Sequence, residues 1–157
     1  MTLRRLTAND TAELAQVVAW QRATPRWYRE AEDAMNGADT LADYLDRAED
    51  EHNILIWVEE GEAMVMFVPT APSEMEIHLC APRYSNAETI AAAGAYLMQD
   101  LREKGIGKRI IAWVNARHRG IKRVIGSIGF VPSGVTLAQG QKTSGKIFNW
   151  EQWINYG

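Results

Sequence analysis

Hydrophobic positions recur along this chain with two different periods, and the points where the period changes mark out its elements. Leu14, Val17 and Val18 fall at helical spacing after Asn9 and Asp10, either of which can cap a helix start. Leu41, Tyr44, Leu45 and Ala48 repeat the pattern after Asp39 or Thr40, and a weak alternation over 2–7 predicts a short strand ahead of both helices. Three short segments follow, 53–60, 63–70 and 74–81, rich in Ile, Val, Phe and Met and separated by Gly61 and by Pro69 and Pro72. They predict three consecutive antiparallel strands. Past Pro82 the period becomes helical, with Ile90, Gly94, Leu97 and Leu101 on one stripe and Gly105 as the stop. Residues 108–115 read as a strand, and the helix before it predicts a parallel β-α-β crossover from the preceding strand. Ile121, Val124, Ile125 and Ile128 then form a second helical stripe ended by Gly129. Two closing strands are expected over 130–153, with Phe148 and Trp150 on one face.

Composition adds boundaries to this picture. The 157 residues are 46% hydrophobic and 24% charged, with no repeat or low-complexity linker, so a single α+β domain over 1–157 is expected. No apolar run approaches the roughly 18 residues that cross a bilayer, and MTLRRLTAND lacks a leader's apolar stretch. The expectation is a cytoplasmic protein without a membrane partner. Cys80 has no companion for a disulfide or a zinc site and reads as a small buried hydrophobe. His52, His78 and His118 share no metal-ligand spacing, so no metal is expected. Gly105-Ile106-Gly107-Lys108 follows a helix and enters a strand, the reverse of the order a phosphate-binding Walker loop needs. The six tryptophans are scattered and mostly expected in the core, with Trp20 and Trp27 bracketing a stretch suited to recognition.

The net charge of −3 hides an asymmetry. Over 30–62 Arg47 is the only basic residue among many acids, whereas over 102–123 Glu103 is the only acid. The basic residues there are Arg102, Lys104, Lys108, Arg109, Arg117, Arg119, Lys122 and Arg123. This run suits a phosphorylated cofactor, nucleic acid or an acidic protein, or else a solvated helix face.

The order of elements, together with Glu76-Ile77-His78-Leu79, Arg109-Ile110-Ile111-Ala112-Trp113-Val114 and Val124-Ile125-Gly126-Ser127-Ile128-Gly129-Phe130 followed by Pro132-Ser133-Gly134, resembles the GCN5-related N-acetyltransferases (GNAT). The resemblance implies a mixed, mostly antiparallel sheet with a central β-α-β crossover and helices on both faces. It implies acetyl-CoA as cofactor, held where a tight loop presents backbone N–H groups at a helix start. The loop corresponds to Arg83-Tyr84-Ser85-Asn86-Ala87-Glu88, with Asn86 and Glu88 standing where the family has small residues. Cofactor contacts implied in this way are Leu79, Arg83, Ser85, Asn86, Ala87, Thr89, His118, Arg119 and Arg123, with Lys122 beside them. Ser85 and Glu88 also have capping-box spacing, which would spend the same amides inside the protein. The family's acid tyrosine corresponds to Ile125, and its frequent helix-start Asn to His118. Glu76 and His78, two apart on a strand, point to one face and are the catalytic candidates, a pair able to deprotonate an amine.

Two functions stay open at this level. One is transfer of acetyl from acetyl-CoA to an amine, the acidic 30–62 stretch favouring a cationic acceptor such as a protein N-terminus, a lysine, a polyamine or an aminoglycoside. The other is a catalytically silent scaffold similar to small GNAT-like proteins of tailed bacteriophages, acting in virion assembly or in binding an acidic protein or nucleic acid.

Overall fold

The computed structural model describes residues 2–23, 40–59, 63–82, 87–141 and 147–157. Among them run β1 (Leu3–Arg5), α1 (Thr11–Ala23), α2 (Leu41–Glu49), β2 (Ile54–Val58), β3 (Ala63–Ala71), β4 (Glu74–Cys80), α3 (Ala87–Glu103), β5 (Arg109–Asn115), α4 (Arg119–Ser127), β6 (Val131–Gln141) and β7 (Ile147–Asn155). The strands form one sheet in the order β1-β2-β3-β4-β5-β7-β6. Every neighbouring pair is antiparallel except β4 and β5, which are parallel, as the crossover through α3 requires.

Helices cover both faces, and the core divides accordingly. On one face Val65, Phe67, Ile77, Ile110 and Val114 pack with Ile90, Leu97 and Met98 of α3 and Ile125 of α4. On the other Leu55, Met64, Met66 and Cys80 pack with Leu14, Val17 and Trp20 of α1 and Tyr44 of α2. A strand covered on both sides reads as a continuous apolar run, and β3 shows it: Ala63 through Phe67 are all buried. Trp20 stacks on Trp57 with ring centroids 5.3 Å apart and an interplanar angle of 14°, joining α1 to β2.

The helix ends obey local chemistry. At α2, Thr40 Oγ1 accepts from the Asp43 amide at 3.2 Å, and Asp43 Oδ2 accepts from the Thr40 amide at 2.7 Å, a reciprocal capping box. That amide holds the Asp43 carboxyl below its ordinary range. At α1 the Asp10 carbonyl accepts from Leu14, while its carboxylate accepts from the Thr7 amide at 2.7 Å and from Arg4 at 2.9 Å. Gly105 ends α3 in the left-handed region (φ 72°), as expected of the stop. Gly129 (φ 95°) turns the chain so that the Phe130 amide reaches the Ile125 carbonyl at 3.1 Å and the Phe130 ring enters the core.

The closing hairpin departs from a simple in-order sheet. The later strand, β7, lies inside against β5, and β6 is the outer edge. Val131, Val135 and Leu137 of β6, apolar positions suggestive of a core, are exposed. Trp27, the Phe148 side chain and the acidic positions within 30–39 lie outside the described residues. Among the described residues no helix is long and apolar enough to cross a membrane.

Candidate functional site

The sheet comes apart along one seam. The β4–β5 ladder comprises only Glu74↔Arg109, Met75↔Ile110 and Glu76↔Ile111. Beyond it β4 stays bonded to β3 as far as Met64↔Cys80, and β5 stays bonded to β7 as far as Asn115↔Trp150. A wedge therefore opens between β4 and β5 from Glu76 and Ile111 onward. The chain leaves β4 at the open end of the wedge and, past the undescribed 83–86, begins α3 at Ala87. A helix of 17 residues carries positive potential at its start, which suits an anion there.

Glu76 and His78 stand at the wedge. His78 Nε2 lies 3.2 Å from Glu76 Oε1, and the two side chains are 42% and 25% exposed, so the pair is both formed and open to solvent. They share the face of Met66 and Val68, their partners on β3, which is the α1 and α2 side of the sheet. Side-chain alternation puts Ile111, Trp113 and Asn115 of β5 on this same face, with Trp113 across the wedge from His78. Asn115 is buried, its Oδ1 accepting from the Arg117 amide at 2.9 Å. Next to it β7 contributes Trp150, Gln152 and Ile154, and Ser133 of β6 donates to Gln152 Oε1 at 2.8 Å. Neither Trp113 nor its β7 neighbours are among the expected site residues, although the alternation within 108–115 carries the signal for Trp113.

The remaining expected contacts are distributed differently. Leu79 turns its side chain to the opposite face, where a Cβ placed on Gly94 would lie 3.7 Å from Leu79 Cδ2; any ligand contact from Leu79 is thus a backbone one. Ala87 and Thr89 are half-buried in the first turn of α3, and Glu88 between them is exposed. Arg83, Ser85 and Asn86, and with Ser85 the expected capping box, lie outside the described residues. His118 caps α4, its Nδ1 accepting from the Ile121 amide at 3.2 Å. Arg119 and Arg123 are exposed on α4. Lys122 points elsewhere: it donates to the Ala116 carbonyl and to Glu151 Oε2 at 2.8 Å, where its charge is already matched.

Not every member of the basic run of 102–123 is free for a ligand: Arg102 and Lys122 are bonded within the fold, and Lys104 and Arg109 hold surface ion pairs. Arg102 donates to the carbonyl and side chain of Asn155, and burial holds its guanidinium below the ordinary range. Lys104 pairs with Asp100 at 2.6 Å and Arg109 with Glu74 at 3.2 Å.

No family model matches the sequence, and no curated protein is significantly similar to it. Solved structures match over the whole chain. A probable acetyltransferase from Staphylococcus epidermidis superposes with a TM-score of 0.77 at 12% identity, over 98% of this chain and 96% of that one. A ribosomal-protein-alanine N-acetyltransferase from Brucella melitensis gives 0.75 at 19% identity over 100% of both chains. A spermidine N-acetyltransferase mutant from Vibrio cholerae gives 0.73 at 13% identity over 99% and 95%. At such identities the likeness is one of fold.

Proposed function

Because the chain has the fold of the GCN5-related N-acetyltransferases, we propose that it transfers an acetyl group from acetyl-CoA to an amine. The observation that carries this reading is the Glu76–His78 pair at the mouth of the β4–β5 wedge, with α3 beginning at the wedge's open end. The residues present fit an anionic acyl carrier in part. The start of α3 with Ala87 and Thr89 would face its phosphates, and Arg119 and Arg123 are exposed cations on the neighbouring helix. Exposed Glu88 in the first turn opposes that attraction. Acetyl-CoA supplies an activated thioester, and the net exchange is an amide for a thioester with the carrier released as a thiol.

The protein's own contribution is proton management and placement. An amine is nucleophilic only when unprotonated, so a base must take its proton before or during attack. The His78 imidazole can accept that proton, and Glu76 at 3.2 Å orients the ring. Partial exposure of both lets the proton pass to water. Apolar packing beneath, from Met66 and Val68, fixes the two side chains on a covered strand and not on a loop.

Calorimetric titration with acetyl-CoA and CoA tests the reading. The expected result is micromolar binding, about −8 kcal/mol; no binding at millimolar ligand overturns it. In the active protein His78→Ala should lower kcat about a hundredfold while leaving CoA affinity unchanged, and Glu76→Gln should lower it less. Glu88 favours a second reading, a partner-binding scaffold without catalysis, since a carboxylate there stabilises an empty helix start. In that case the same titration is silent.

A further inference from the structure

On the acetyl-transfer reading of the site, we infer that the acceptor is a monoamine carried on an apolar or aromatic body, held against Trp113 and Trp150, and not a polyamine. Glu76 is the only carboxylate on the described part of this lane that no arginine or lysine already holds: Glu74, two residues before it on the same face of β4, pairs with Arg109 at 3.2 Å. Next to it on β5, β7 and β6 come Ile111, Trp113, Trp150 and Gln152, with Val135 and Leu137 at the outer edge, and none is charged. Val135 and Leu137 are 48% and 52% exposed, so the lane ends in open apolar surface.

A polyamine carries several ammonium groups along its length, and each loses water on docking unless an anion meets it. One carboxylate can satisfy one ammonium. Several other described acids of the same half of the fold are already engaged, while Asp46, Glu49 and Glu51 lie exposed on α2 and the turn after it, off the strands that form the lane. Asp10, Glu13 and Glu59 all surround Arg4, Asp43 caps α2, and Asp50 pairs with His52. An indole, by contrast, offers a broad apolar face and attracts a cation or a second ring placed over it. Trp113 stands across the wedge from His78, which puts that surface next to the base. An amine whose nitrogen meets Glu76 and His78 would lay its body along Trp113 toward Trp150.

The test uses the full chain with saturating acetyl-CoA, thiol release as readout, and 2-phenylethylamine and spermidine as probes, with CoA binding measured separately by calorimetry. The expected result is a kcat/KM for phenylethylamine at least about tenfold above that for spermidine. Trp113→Ala should raise the phenylethylamine KM about tenfold with little change in kcat or in the spermidine KM, and Trp113→Phe should restore most of it. A merely structural tryptophan would shift both amines alike. Equal or better use of spermidine overturns the inference and leaves acetyl transfer standing. CoA binding without thiol release on either amine also overturns it, whereas absent CoA binding removes the acetyl-transfer reading beneath it.

Discussion

Gly129→Ala should destabilise the protein by about 2–4 kcal/mol, and the structure says where each part comes from. Gly129 sits at φ 95°, a left-handed conformation that costs an L-residue about 1–2 kcal/mol. A Cβ there would also lie 3.0 Å from Asn155 Nδ2. Asn155 is 4% exposed; its Nδ2 donates to the Ile128 carbonyl at 2.8 Å and its Oδ1 accepts from the Gly157 amide at 3.0 Å and from Arg102. Pushing that amide aside leaves buried polar groups unpaired, a further cost of about 1–2 kcal/mol. Gly105→Ala is the control: φ is 72°, but no atom lies within 4 Å of the added carbon, so only the backbone cost of about 1 kcal/mol applies. Urea unfolding measures both, as shifts in midpoint at constant slope. Adding Asn155→Ala to Gly129→Ala should cost less than the two single changes summed, because the clash is then gone. If Gly129→Ala and Gly105→Ala agree within about 0.5 kcal/mol, the reasoning about Asn155 is refuted.

Other expectations concern caps, pH and the cofactor end. Thr40→Ala removes the α2 capping box and should cost about 1 kcal/mol in thermal or urea unfolding; no loss would mean that the box is idle in solution. The Asp10 carboxyl is held below its ordinary value, first by the Thr7 amide and then by Arg4, so its stabilising effect is complete above the unfolded value of about 4 and is lost as pH falls through the lower folded value. The thermal stability gap between the wild type and Asp10→Asn should therefore be widest above about pH 5 and narrow below about pH 4, and a gap that widens on acidification refutes it. Glu88→Gln should tighten CoA binding about two- to fivefold at low salt, with the gain fading at high salt, and weaker binding would count against an anion at the start of α3.

The elements were legible wherever one face of a segment meets the core. The stripes of α1 and α3, the meander β2 to β4, and the parallel step to β5 follow from period and, at the end of α3, from Gly105. What the sequence hid depends on partners distant along the chain. Val131, Val135 and Leu137 alternate like core residues, yet β7 takes the inner place because Gln152, Ile154 and Asn155 bury against β5, leaving β6 outside. Lys122 falls off the apolar stripe of α4 and resembles a free phosphate ligand until Glu151, 29 residues later, is seen beside it. His118 looks like a site residue in sequence and serves as a helix cap in space. The Glu76–His78 pairing needed only the two-residue period of a strand; Trp113 opposite them needed the β4–β5 register.

The three-pair ladder between β4 and β5 has a consequence for assembly. Strands β2 to β4 are joined by short connections, and β6 and β7 by one hairpin, so these two groups can form from local contacts, whereas β1 meets β2 only after α1 and α2, and β5 meets β7 only after α4 and β6. Residues 74–76, however, meet 109–111 only after the chain has wound α3 between them. Contacts of such separation form late and slowly. The opening between the strands is thus also the joint along which two semi-independent halves close, and it is the place where native-state amide exchange should report the smallest opening free energy in the sheet. A molecule lodged in it would touch both halves at once and add to the coupling that the shared core beneath α3 and α4 already supplies.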